Sequence, residues 1–196
     1  IRSDLRNLNS ANTGDKSKFG LQENKKTLLV LGGSNGSREI NKVVFNNINL
    51  FESLNVQVLW QSGKIYFEQY RYLNSKENIH VHAFIDEMNL AYAHADIIIS
   101  RAGASSISEL CIVGKPVIFI PSPNVAENHQ YKNAKNLVIK NAAVLIEEKN
   151  LETDFVKSFT DLINNTEYQL ELSNSIIKNA KPNATTEIIN EIEKLL

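Results

Sequence analysis

Between residues 27 and 146, short apolar runs alternate with segments whose apolar residues recur every three or four positions. The runs Thr27–Leu31, Val56–Gln61, Ile79–Ala83, Asp96–Ser100, Pro116–Ile120 and Ala143–Ile146 are apolar nearly throughout. That pattern predicts β-strands covered on both faces. Ile40, Val43, Val44, Ile48 and Phe51 fall on one face of a helix, as do Leu151, Phe155, Phe159, Leu162 and Ile163. Strands alternating with helices predict an α/β fold with a doubly wound, Rossmann-like parallel sheet. Pro182 ends one helical pattern and a last one follows, with an apolar stripe of Ile188, Ile189, Ile192, Leu195 and Leu196. The organisation read from this is a polar connector over 1–26, a sheet domain over 27–182 and a terminal helix over 183–196.

The bulk composition narrows the classes. A chain of 196 residues, 42% hydrophobic, is long enough for one sizeable core. A net charge of -1 offers no electrostatic footprint for nucleic acid or an anionic membrane. The single cysteine, Cys111, excludes an internal disulfide framework and fits a reducing compartment. No apolar run is long enough to span a bilayer. The chain opens on Ile1, so it is expected to be part of a longer protein.

In an open parallel sheet, ligands lie beyond the carboxyl ends of the strands, so the residues after each run carry the chemistry. After the first run comes GGSNGS, residues 32–37, a glycine-rich turn into a helix that can hold a phosphate or a sugar. It lacks the lysine of a P-loop and the glycine spacing of a dinucleotide fingerprint. After the second, Trp60 reads as core, Ser62 and Gly63 as a turn, and Lys64 as a solvated cation. After the third, Phe84, Ile85 and Met88 form an apolar patch against which a flat base can pack, or an ordinary piece of core. His80 and His82 share a strand face, but no third metal ligand is evident nearby.

The segment SRAGASSISEL, residues 100–110, is the richest. Gly103 lies in a loop of small residues. Ser106 and Glu109 fit the S-x-x-E capping box, in which serine starts the helix and glutamate caps it back. The other reading has the amides and the Ser105 and Ser106 hydroxyls holding a phosphate, with Glu109 accepting from a sugar diol. After the fifth run, His129, Gln130 and Asn133 lie within about one helical turn. Neutral donors and acceptors of this kind suit sugar hydroxyls, or equally a solvated polar face. Two phosphate-type loops at neighbouring strand ends fit a nucleotide sugar better than a lone phosphate.

LGGSNGSREIN, WQSGK, FIDEMNLAYAHADIIISRAGASSISEL, GKPVIFIPSPNVAENHQYKNA and NATTEIINEIEKLL, in this order, resemble the C-terminal half of the MurG family of bacterial peptidoglycan glycosyltransferases. The resemblance implies one half of a GT-B glycosyltransferase, the half that binds UDP-GlcNAc. The whole enzyme would pass GlcNAc, with inversion, to the 4-hydroxyl of the muramyl sugar of lipid I and form lipid II. Carried over motif by motif, Gly33, Ser34 and Gly36 lie against the diphosphate. Ile85 offers backbone groups to the uracil edge, beside Met88. Gly103, Ala104, Ser105 and Ser106 hold the diphosphate, Glu109 the ribose, and His129, Gln130 and Asn133 the GlcNAc hydroxyls. Arg2 stands near the interdomain cleft.

The same resemblance implies no cofactor and no metal. It places the catalytic base and the lipid I site on an N-terminal domain toward which the last helix would pack, so this chain alone would bind donor without transferring it. The full-length protein would be cytoplasmic, peripheral to the inner face of the plasma membrane. A stand-alone donor-binding subunit of a split glycosyltransferase and a fragment of a GT-B nucleotide-sugar epimerase remain as alternatives, ahead of a binding module or a dinucleotide oxidoreductase.

Overall fold

A computed structural model of the chain describes residues 15–195, the Thr185 side chain excepted. Six parallel strands form one sheet: β1 (Lys26–Leu31), β2 (Val56–Gln61), β3 (Ile79–His82), β4 (Ile97–Ser100), β5 (Val117–Phe119) and β6 (Val144–Leu145). Their order is β3-β2-β1-β4-β5-β6. Each strand lies within one residue, at either end, of the apolar run that predicts it. The order reverses direction between β1 and β4, which opens a crevice at their carboxyl ends.

Alternation along each strand divides the core in two. Leu28 and Val30 of β1, Val58 and Trp60 of β2, and Ile97 and Ile99 of β4 face one layer. That layer is closed by α1 (Arg38–Asn46), α2 (Ile48–Ser53) and α7 (Leu151–Asn164), whose Phe51, Phe155 and Phe159 rings pack on one another. Leu29, Leu31, Leu59, Ile98 and Phe119 face the other layer. It is closed by α4 (Met88–His94), α5 (Ala104–Val113) and α6 (His129–Val138). A short α3 (Phe67–Tyr70) follows β2, and α8 (Thr166–Ile177) reaches both layers through Leu172 and Ile176.

Three expectations need correction in detail. The face carrying Ile40 to Phe51 belongs to two helices, because the Asn47 side chain donates to the Val43 carbonyl at 2.7 Å and competes with the helical ladder. The described part of the polar connector is docked on the sheet domain: Phe19 and Leu21 are buried, and the buried Gln57 side chain accepts from the Gln22 N–H at 2.8 Å and donates to its carbonyl at 2.9 Å. The helix after β4 starts earlier than a capping box at Ser106 would allow, as described below. The last helix, α9 (Ala184–Glu193), leaves Ile188, Ile189, Ile192 and the following Leu195 exposed.

Candidate nucleotide-sugar site

At the reversal of strand order, Leu31, Gly33, Gln61, Met88, Tyr92, Ser100, Arg101 and Ser106 line a depression of about 140 Å³. Gly33, Met88 and Ser106 therefore meet at one place, although Gly33 and Ser106 stand 73 positions apart in the chain. The groups around them arrive on four different loops.

The loop after β1 turns on Gly33 and Gly36, both at φ +86°. A Cβ on Gly33 would meet nothing within 4 Å, so this residue borders open space. Gly36 is different. Its N–H donates to the Gly33 carbonyl at 3.2 Å, and a Cβ there would stand 2.1 Å from the Ser62 carbonyl oxygen. Gly36 serves the contact between two loops, and Gly33 is the glycine that a ligand can approach. Ser34 is exposed, and its carbonyl accepts from the Lys64 N–H at 3.3 Å.

The loop after β4 ends at Gly103, whose extended backbone (φ −65°, ψ 151°) is the N-cap of α5. No side chain caps this helix. Its first ladder bond runs from the Ile107 N–H to the Gly103 carbonyl at 2.9 Å. The amides of Ala104, Ser105 and Ser106 thus lie in the unsatisfied first turn, and no acceptor for them is seen among the described residues. This overturns the capping box. Ser106 is the third helical residue and Glu109 lies in the second turn, because extended Gly103 starts the helix and Ala104 and Ser105 continue it. Glu109 is left half-buried one turn behind the free amides, with one carboxylate oxygen 3.5 Å from the Tyr92 hydroxyl. A positive helix terminus followed by a carboxylate on the same face offers an anion site and a hydroxyl site about one turn apart.

The loop after β3 presents Ile85, buried, with its N–H donated to the Gln61 Oε1 at 2.9 Å. Backbone recognition at Ile85 therefore rests on its carbonyl, to which no hydrogen bond is seen among the described residues. Met88 opens α4 and packs in the core beside the depression.

The fourth loop, after β5, enters α6 through Glu127 and Asn128, both left-handed at φ 53° and 52°. Consecutive non-glycine residues in that region are strained, and such strain concentrates at functional loops. Gln130 accepts from the Ser122 N–H at 3.0 Å, and Asn133 donates to the Ala102 carbonyl at 3.2 Å. The start of α6 is thereby clipped to the loop that leads into α5. The exposed His129 turns its Nδ1 toward the Ala126 carbonyl at 2.9 Å. Of the three, Gln130 and Asn133 brace loops, and among the described residues no partner is seen for the Gln130 Nε2 or the Asn133 Oδ1. Arg2 lies outside the described residues.

Two residues absent from the sequence reading organise the site. Gln61, the last residue of β2, joins the first loop to the base-side loop. Arg101, the first residue after β4, donates to the Ile120 carbonyl at 2.9 Å and the Ser37 hydroxyl at 2.6 Å, and pairs with Glu148 at 2.5 Å. A polar residue at the end of an apolar strand (Gln61) or directly after it (Arg101) was the available signal. The histidine pair resolves otherwise: burial lowers the pKa of His80 and His82, and His82 packs edge-on against Phe19. Among the described residues, no three His, Cys, Asp or Glu side chains gather where they could hold one metal ion.

Residues 27–188 match the glycosyltransferase family 28 C-terminal domain. The chain belongs to that family. A Flavobacterium psychrophilum protein named UDP-N-acetylglucosamine--N-acetylmuramyl-(pentapeptide) pyrophosphoryl-undecaprenol N-acetylglucosamine transferase is 50% identical over 196 residues, covering 100% of this chain and 53% of that protein. A protein of the same name from Christiangramia forsetii is 47% identical over the same share. Acinetobacter baumannii MurG, in its crystal structure, matches with a TM-score of 0.78 at 27% identity, over 91% of this chain and 52% of that one. The Neisseria meningitidis UDP-GlcNAc 2-epimerase, solved bound to UDP-GlcNAc, shares the fold alone, at 20% identity and a TM-score of 0.62 over 97% of this chain and 51% of that one. This family 28 domain thus spans about half the length of the curated relatives it matches.

Proposed function

We propose that the chain is the donor-binding half of a MurG-type transferase and that the crevice at the β1–β4 reversal holds UDP-GlcNAc. The observation that carries this reading is the uncapped start of α5. The first-turn amides of Ala104, Ser105 and Ser106, for which no acceptor is seen among the described residues, lie where a diphosphate would sit, with Ser106 and open Gly33 lining the same depression and Glu109 one turn behind for the ribose. The names borne by relatives at 50% and 47% identity favour GlcNAc as the sugar and the lipid-linked muramyl pentapeptide as acceptor. Gln130 and Asn133, held at the strained entrance to α6, have amide atoms to spare for sugar hydroxyls.

Attack of the acceptor 4-hydroxyl on the anomeric carbon breaks its bond to the diphosphate, and charge develops on the departing UDP. Preorganised amides at a helix start stabilise that charge without reorganising. In this proposal no phosphoryl group moves, no P-loop lysine is needed, and the amides and hydroxyls act without a metal. The acceptor site and catalytic base lie on a further domain of the full-length protein, which would work at the inner membrane face. No helix of the described residues is long and apolar enough to cross a membrane.

Calorimetry with UDP and UDP-GlcNAc in the presence of chelator tests the reading. Binding of both is expected, with no transfer to lipid I by the chain alone. Binding only after magnesium or manganese is added would overturn the metal-free part, and no binding under either condition would overturn the site.

A further inference from the structure

Gln61 is a primary amide, 4% exposed, at the end of a strand whose residues are all buried. A buried amide needs partners, and both of those found here are loop backbone rather than strand. Its Nε2 donates to the Gly33 carbonyl at 3.1 Å, and its Oε1 accepts from the Ile85 N–H at 2.9 Å. The Gly33 carbonyl also accepts from the Gly36 N–H at 3.2 Å.

Two donors on one carbonyl fix the plane of the Gly33–Ser34 peptide. In a planar trans peptide the N–H points opposite to the C=O. Holding the Gly33 carbonyl toward Gln61 and Gly36 therefore sets the Ser34 N–H on the opposite side, where no partner for it is seen among the described residues. The same amide group fixes the Phe84–Ile85 peptide by holding its N–H. One side chain thus sets the mutual orientation of two peptide planes on two loops that have no sequence continuity.

We propose that Gln61 is a positioning residue that couples the base-side loop, 83–87, to the phosphate-side loop, 32–37, so that filling the first orders the second. Resting on the donor-binding reading above, this adds a physical link between recognition of the base and readiness of the diphosphate site. In this proposal the side chain acts through the two loops that it joins. Its effect is on how much the diphosphate adds to the affinity of the nucleoside.

Gln61→Glu separates the two bonds. A carboxylate still accepts from the Ile85 N–H, but its other oxygen faces the Gly33 carbonyl as acceptor against acceptor. Affinities of the chain for uridine and for UDP are measured at pH 7.5, with a melting curve for each protein. Uridine affinity is expected to stay within about twofold of wild type. UDP affinity is expected to fall on the order of tenfold, so that the gain from uridine to UDP shrinks. A UDP-to-uridine ratio equal to that of wild type would overturn the coupling, as would equal losses for both ligands. Wild type that binds neither ligand would overturn the donor-binding reading itself, which is a different result.

A second measurement needs no variant. Amide exchange of wild type is followed with saturating uridine, a ligand without phosphate. Slower exchange is expected in both loops. Slowing confined to 83–87 would overturn the proposal even if Gln61→Glu failed to fold.

Discussion

A Cβ added to Gly63 would stand 2.1 Å from the amide nitrogen of Gly36. The loops after β1 and β2 therefore pack backbone to backbone, and both glycines are left-handed, at φ +87° and +86°. Gly63→Ala combines a clash with backbone, which cannot swing aside as a side-chain tip can, and an unfavourable φ. The expected loss is about 3 kcal/mol or more in denaturant unfolding.

Gly33→Ala is the contrasting case. Its φ is also +86°, but the added methyl meets nothing within 4 Å. Stability should fall by only about 1–2 kcal/mol, while UDP affinity falls because the methyl occupies the approach to the loop. A Gly33→Ala protein with wild-type UDP affinity would place the diphosphate elsewhere.

These glycines mark how far the sequence was legible. The sheet could be read because Val, Ile and Leu dominate β1, β2, β4 and β5, as burial on two faces demands. The loops could be located, but the division of labour within them could not. Gly33 and Gly36 look alike in sequence and differ only in what lies across from them in another loop. The S-x-x-E pattern at Ser106 misled because a cap depends on where the backbone turns extended, and that is Gly103. Gln61 and Arg101 act through bonds to residues between 19 and 64 positions away, which no local pattern encodes.

The described part of the N-terminal segment should loosen in mild acid. His80 and His94 each bury an Nε2 with no hydrogen-bond partner among the described residues, and a Cβ at Gly20 would stand 3.0 Å from the His80 ring. Burial is the main cause that lowers both pKa values below 6.5, and it lowers that of His82 as well. The neutral rings favour the folded state. Below pH 6.5 the unfolded chain takes up protons that the folded chain resists. This contribution to stability is therefore complete above the unfolded value and is lost as pH falls through the lowered folded values. Denaturation midpoints between pH 7.5 and 5.5 should decline, and His94→Gln should make the decline shallower. A flat profile in wild type would contradict the assignment.

The apolar stripe of α9 contributes little to this chain. Ile188, Ile189 and Ile192 are 60%, 49% and 53% exposed. Replacing Ile188 and Ile192 together by serine should change stability by no more than about 0.5 kcal/mol each, as for other exposed positions. Amides of α9 should exchange faster than those of β1, whose residues lie in the centre of the sheet. A loss of several kcal/mol would mean that the stripe is buried in solution.

Glu109 provides the sharpest test of the ligand assignment. It does not cap α5, since Gly103 is the N-cap and no side chain bonds there. Glu109→Gln keeps the shape of the side chain and leaves the helix start untouched, so melting should hardly change. The Tyr92 hydroxyl stands 3.5 Å from its carboxylate, a distance at which little energy is at stake. If the carboxylate accepts from ribose, the variant loses a charge-assisted bond of roughly 1.5–3 kcal/mol. UDP affinity should then fall about tenfold to a hundredfold. The loss must also be specific: wild type should prefer UDP to 2′-deoxy-UDP, and the variant should show little preference. Titrating both ligands into both proteins separates this from a general electrostatic effect. Removing a negative charge near a diphosphate would by itself tighten binding of both ligands equally, the opposite of what is expected. An unchanged ribose preference in Glu109→Gln would move the ribose away from α5.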